Sequence, residues 1–172
     1  MAEIILQKIE SEDLPKLQLL LNDWVTVEDT QEVDQYRIKR ILTLAQTEPH
    51  KHGDRVYLVA KNPTENILGI IGYKEPCGYM QSFCDTRNAA EVINFYTTDH
   101  FTDPAIADAI LKHTEDLVLA WGGQEIVINR APRYAAEVEA YFKTKTDYKY
   151  VGVAEGFFGR NLDTPVWVKK LA

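Results

Sequence analysis

Residues 92–128 constrain the fold more than any other stretch. An apolar, β-rich run (VINFYTT) breaks at Asp99-His100, a helical pattern opens at Asp103-Pro104, and a second β-rich run (QEIVIN) follows. A strand that feeds a helix and returns as a strand predicts a right-handed crossover between neighbouring parallel strands. The same geometry gathers unpaired backbone N–H groups and the positive end of a helix dipole at one point, a seat for a phosphate-bearing ligand. The loop that would form this seat has no glycine and carries the carboxylate of Asp103.

The remaining pattern surrounds that unit. Residues 3–8 read as a short strand. A helix follows, with Asp13 as its expected N-cap, Pro15 in the first turn, and Leu14, Leu17, Leu21 and Trp24 on one face. Ile38, Ile41, Leu42 and Ala45 recur at helical spacing. Runs 55–61 and 67–73 are joined by Asn-Pro-Thr-Glu-Asn, a hairpin signal. Residues 76–87 read as an irregular loop. The strand at 91–98 leads to a helix at 104–121 that stops on Gly122-Gly123, where glycine takes left-handed geometry without cost. Ile106, Ile110, Leu117 and Trp121 are its expected core stripe. A strand at 125–129, a helix near 134–144 and strands at 148–158 and 164–171 close the chain. The result is an α/β (α+β mixed) fold, a single domain over residues 1–172, with a mixed, mostly antiparallel sheet of about seven strands and about four helices on its faces.

Composition narrows the function classes. The formal charge of −7 argues against nucleic-acid binding and a basic membrane patch, both of which need clustered Lys and Arg. No apolar run is long enough to span a bilayer. The start, MAEIILQKIE, lacks the basic and apolar regions of a secretion signal, so a cytoplasmic location is expected. Cys77 and Cys84 read as free thiols in a reducing compartment. His50 and His52 flank a lysine without further ligands, so no metal site is expected. His113 reads as a half-buried helical residue.

The element order, with three particular segments, resembles the GNAT superfamily of N-acetyltransferases. IESEDLPKLQLLL is similar to its opening strand and first helix, RVYLVAKNPTENILGIIGY to its second and third strands, and YKYVGVAEGFFGRNLDTPVWVKKLA to its closing strands. The resemblance implies transfer of an acetyl group from acetyl-CoA to an amine of a small molecule or protein. It implies that the cofactor lies where the fourth and fifth strands separate, with pantetheine along Tyr96, Thr97 and Thr98 and pyrophosphate on the loop that follows. The family's Gln/Arg-x-x-Gly-x-Gly/Ala loop falls on Thr102, Asp103, Pro104, Ala105, Ile106 and Ala107, where Ala107 alone keeps the pattern. Asn129 falls where the family often has a polar residue touching the cofactor. Edge strands of such sheets often pair between subunits, so a homodimer is an open assembly.

Acetyl transfer needs a base for the amine and a proton donor for the departing thiolate. The resemblance assigns the donor to a tyrosine on the last helix. One alignment places Tyr141 there and the other Phe142, which cannot donate; Tyr141 is the candidate acid. Glu91 is the candidate base, against the plainer reading of an exposed carboxylate at a strand start. His100 adjoins the loop and would donate a hydrogen bond or offset Asp99 and Asp103. Three functions remain open: an acyl-CoA-dependent N-acetyltransferase, a non-catalytic binding or regulatory module on the same scaffold, and an unrelated α/β binding protein.

Overall fold

The computed structural model describes residues 3–27, 30–51 and 53–171. Its elements are β1 (Ile5–Lys8), α1 (Leu14–Trp24), α2 (Gln35–Ala45), β2 (Val56–Lys61), β3 (Ile67–Lys74), α3 (Gly78–Gln81), β4 (Ala89–Thr97), α4 (Pro104–Trp121), β5 (Glu125–Asn129), α5 (Ala135–Lys143), β6 (Lys149–Ala154) and β7 (Thr164–Lys170). The strands form one seven-stranded sheet in the order β1-β2-β3-β4-β5-β7-β6. Every neighbouring pair is antiparallel except β4 and β5, the pair joined through α4.

This is the architecture expected from the sequence, with local differences that have physical causes. Residues 76–87 contain a one-turn helix, α3, because Met80 is fully buried against Val127, Val166 and Val168 and folds the loop over the sheet. That makes five α-helices among the described residues instead of about four. Asp13 does not cap α1 with its side chain. It accepts the Glu10 N–H at 3.0 Å and pairs with Lys61 at 2.6 Å, a buried charge meeting a buried charge. The sixth strand stops at Ala154, and residues 155–162 turn back through left-handed Gly156 and Asn161.

The core lies on both faces of the central strands. Ile70 and Ile71, successive residues of β3 that point opposite ways, are both fully buried. Around β5 and β7 the faces separate. Ile126, Ile128 and Trp167 join the main core, whereas Val127, Val166 and Val168 join the small one beneath α3. The buried face of α4 runs through Ala107, Ile110, Leu111, Thr114 and Val118. It is therefore rotated from the expected stripe, leaving Ile106, Leu117 and Trp121 half-buried and His113 exposed. Gly69 permits the close approach of β3 and β4: a Cβ there would stand 2.6 Å from the Tyr96 carbonyl oxygen. Among the described residues no helix is long and apolar enough to cross a membrane.

Candidate functional site

β4 and β5 pair only from Ala89–Glu125 to Val92–Ile128 and then diverge. Two residues further along, β4 kinks at Asn94, which takes a left-handed φ of 47°, and its register with β3 slips between Ile70 and Gly72. Divergence and kink together open a cleft of about 270 Å³, lined by β4, the end of β5, α2 and α5. Its inner wall is polar: the Tyr57 hydroxyl donates to Asn94 Oδ1 at 2.7 Å, and Asn94 Nδ2 donates to the Tyr96 hydroxyl at 2.9 Å.

The loop from β4 into α4 is closed on itself. The His100 and Thr102 amides donate to the Thr97 and Asp99 carbonyls at 3.3 and 3.2 Å. The Phe101 amide reaches Thr97 Oγ1 at 2.9 Å, and the Asp103 amide reaches Asp99 Oδ2 at 2.6 Å. At the helix start the Ala105 amide donates to Asp103 Oδ1 at 3.0 Å and the Ile106 amide to the Asp103 carbonyl at 3.2 Å. Asp103 is thus the N-cap that the sequence suggests, next to Pro104 at the first helical position. His100 and Phe101 both hold left-handed backbone, at φ 53° and 63°. Such geometry costs about 1–3 kcal/mol per non-glycine residue, and ring packing offsets it. Phe101 is buried against Phe95, Trp24 and Tyr141.

A second set of contacts bolts this loop to the chain entering α5. The His100 ring stacks on Tyr134 at 4.0 Å. Asp23, near the end of α1, binds both: it pairs with His100 Nε2 at 2.5 Å and accepts the Tyr134 hydroxyl at 2.6 Å. Burial pushes the Asp23 carboxyl up, but these two hydrogen bonds, helped by the nearby His100 and Arg133, together outweigh it and hold the group below the usual carboxylate range. Trp24 stacks on Tyr96 and donates its indole N–H to the Thr97 carbonyl at 2.9 Å. His100 therefore meets Asp23, not Asp99 or Asp103.

The two candidate catalytic residues are both held by partners within the chain. Tyr141 donates its hydroxyl to Asp108 at 2.7 Å, on the second turn of α4. Burial, followed by that acidic partner, pushes its phenol far above the ordinary range. It is Phe142, the other alignment's residue, that lines the cleft. Glu91 lines the cleft too, but it is 3% exposed, not an exposed strand-start carboxylate. Its Oε2 accepts Lys74 Nζ at 2.7 Å and the Cys77 amide at 3.0 Å, so its charge is already balanced. Asn129 borders the cleft and donates to Met80 Sδ at 3.8 Å. Thr97 is buried, whereas Thr98 and Thr102 are exposed, with hydroxyls bonded to Leu68 and Asp99 carbonyls. Cys77 and Cys84 are free, and burial pushes the Cys84 thiol up to about 12. His50 is exposed; His52 lies outside the described residues. Among the described residues no group of His, Cys, Asp and Glu is placed to hold a metal.

No protein-family model and no curated protein matches the sequence. Solved structures do match. The PaiA N-acetyltransferase of Thermoplasma acidophilum, solved with coenzyme A, aligns over 98% of this chain and 99% of its own, at TM-score 0.68 and 17% identity. A spermidine N-acetyltransferase SpeG chimera from Vibrio cholerae and hSSAT aligns over 98% of this chain and 96% of its own, at TM-score 0.68 and 14% identity. An aminoglycoside 6′-acetyltransferase type Ii aligns over 96% of both chains, at TM-score 0.64 and 16% identity. The chain has the GNAT N-acetyltransferase fold. Identities this low establish the fold alone.

The GNAT fold implies acetyl-CoA, and the residues present do not fit its pyrophosphate. That group needs unpaired amides at the helix start and no competing negative charge. Here six loop amides already have acceptors within the chain. Two of those acceptors are the carboxylates of Asp99 and Asp103, and Asp99 Oδ1 is itself buried without a hydrogen bond. The Thr97 carbonyl, on the strand expected to pair with pantetheine, is taken by Trp24.

Sequence reasoning passed over three cleft residues. Arg37 and Arg40 lie on α2 with Ile41 and Leu44, spaced i, i+3, i+4 and i+7, so all four face the cleft. Arg55 precedes β2, two residues from Tyr57 and on the same side of the strand. The helical spacing of Arg37, Arg40, Ile41 and Leu44 was the available signal. The Asp23–His100–Tyr134 bolt had no signal, because its members are far apart in sequence.

Proposed function

We propose that this chain is a ligand-binding module on the GNAT scaffold that works without acetyl-CoA. The observation that carries this reading is the self-satisfied β4–α4 loop, whose amides are bonded to the chain's own carboxylates, carbonyls and a hydroxyl. A pyrophosphate entering there would have to break those bonds and sit beside two negative charges, a cost of several hydrogen bonds of about 1 kcal/mol each. The displacement of Tyr141 from the cleft and the presence of Phe142 in its place support the same reading.

One observation favours acyl transfer. β4 and β5 still separate, and β4 still kinks at Asn94, as a scaffold that admits pantetheine would require. In that reading acetyl-CoA binds without the usual phosphate contacts, and the acceptor is an amine. Calorimetric titration of the wild type with acetyl-CoA separates the two. A ligand at 100 times its dissociation constant stabilises a fold by about 2.7 kcal/mol, so a thermal melt gives an independent readout. The binding-module reading expects neither heat nor a shifted melt. Saturable binding that Asp103→Gly strengthens would favour acyl transfer.

A further inference from the structure

The geometry points to a small organic anion as the ligand of the cleft, a compact carboxylate or phosphate monoester with an apolar body, held by Arg37, Arg40 and Arg55. This rests on the binding-module reading and names the ligand class.

Arg37, Arg40 and Arg55 line one cavity, and among the described residues none of their guanidinium groups has an ion-pair or hydrogen-bond partner. This is unusual for an acidic chain of net charge −7, in which carboxylates outnumber cations 26 to 19. The fourth arginine of the cleft, Arg130, shows the ordinary outcome: it is paired with Glu139 at 2.5 Å. Arg55 Nε is moreover buried without an acceptor. A guanidinium nitrogen out of water with no partner is costly, and an oxyanion in the cleft would remove that cost. The fork of N–H donors on each guanidinium matches carboxylate and phosphate oxygens, which makes arginine the suited residue.

The surroundings agree with that ligand. Asn94 receives one tyrosine hydroxyl and donates to the other, which leaves the Tyr96 O–H free to donate into the cleft. Glu91, the one carboxylate lining it among the described residues, is already offset by Lys74. Phe142 and Phe157 supply apolar surface for a hydrocarbon body, and about 270 Å³ limits the ligand to a small molecule. Burial pushes the Tyr57 phenol up, and Arg55 and Arg40 oppose that rise, consistent with the two guanidiniums lying close to it. A cationic amine, the acceptor class implied by the resemblance, would meet repulsion from all three.

The test is calorimetry and thermal melting of the full chain with four probes sharing one ring: benzoate, phenyl phosphate, benzyl alcohol and benzylamine. Saturable binding of benzoate or phenyl phosphate is expected, and their ratio identifies carboxylate or phosphate as the preferred oxyanion. The alcohol and the amine should not bind. Arg37→Gln and Arg40→Gln should each weaken the bound anion about tenfold or more, a change of about 1.4 kcal/mol. The triple variant with Arg55→Gln should abolish binding while keeping the unliganded melting temperature. Preferential binding of benzylamine, anion affinity unchanged in the variants, or no anion binding at millimolar concentration would each overturn the proposal. Acetyl-CoA is titrated into the triple variant as a separate arm. Binding there contradicts the binding-module reading alone, because the arginines are gone, and the benzoate and phenyl phosphate result still decides the ligand class.

Discussion

The β4–α4 corner and the α2–β2 wall face parts of the same opening in the sheet, and their polar groups are in opposite states. At the corner six amides, those of His100 to Asp103 with Ala105 and Ile106, are bonded to the chain itself, and two carboxylates stand among them. At the wall three guanidiniums have no partner among the described residues. A fold that usually takes its anionic group at the corner here has its unsatisfied cationic donors at the wall. The difference teaches that backbone shape and binding chemistry separate: the divergence of β4 and β5 survives, while the charge that would give it its usual use has changed sign.

The most forceful way to break this contrast is to remove the side chain that anchors the corner. Trp24 is 2% exposed, stacks on Tyr96 at 5.0 Å and holds the Thr97 carbonyl. Trp24→Ala should cost roughly 3–5 kcal/mol, read by chemical denaturation, and should speed hydrogen exchange at residues 100–103 more than at β2. Equal acceleration in both regions would mean that Trp24 supports the core in general and not the corner in particular.

Alkaline titration sharpens the contrast from the other side. Burial pushes the Tyr57 phenol from its ordinary value near 10 up to about 12, and Tyr96, Tyr141 and Tyr148 shift the same way. The folded state keeps the proton that the unfolded state loses. The stability this gives is therefore complete below pH 10 and is lost as the pH rises through the folded value. For Tyr57 alone this rise sets a ceiling of about 2.7 kcal/mol. Tyr57→Phe should flatten the fall between pH 10 and 12, and an unchanged slope would show that Tyr57 is not part of it.

Smaller effects follow at the loop and the wall. Asp103→Ala removes the N-cap bond to the Ala105 amide and should lower stability by about 1 kcal/mol in a thermal melt. A loss near zero would mean that the cap, and with it the self-satisfied corner, is not formed. Arg40→Gln should change stability by less than about 0.5 kcal/mol, because the side chain is exposed and has no partner among the described residues. A large loss would show that Arg40 has a structural partner and is not held ready for a ligand.

Most of the fold was legible because it is written in local pattern. The βαβ unit follows from one apolar run, the Asp103-Pro104 helix start and the Gly122 stop. The hairpin follows from Asn62, whose side chain accepts the Thr64 and Asn66 amides. The Asp103 cap was readable for the same reason. What could not be read depends on partners distant in sequence. Glu91 looked exposed because nothing local announces Lys74 and the Cys77 amide as its partners. Asp13 looked like a cap because Lys61, which claims it, is at the far end of β2. Tyr141 and Phe142 differ by about 100° around a helix, so choosing the one that faces the cleft required the docking angle of α5.

The most direct test of the central claim is amide NMR of the wild type with acetyl-CoA in excess, followed residue by residue. With the corner satisfied internally, the signals of His100, Phe101, Thr102, Asp103, Ala105 and Ile106 should stay where they are. Saturable movement of the His100–Ile106 signals would contradict the account, because it would place a phosphate where the chain's own carboxylates now stand.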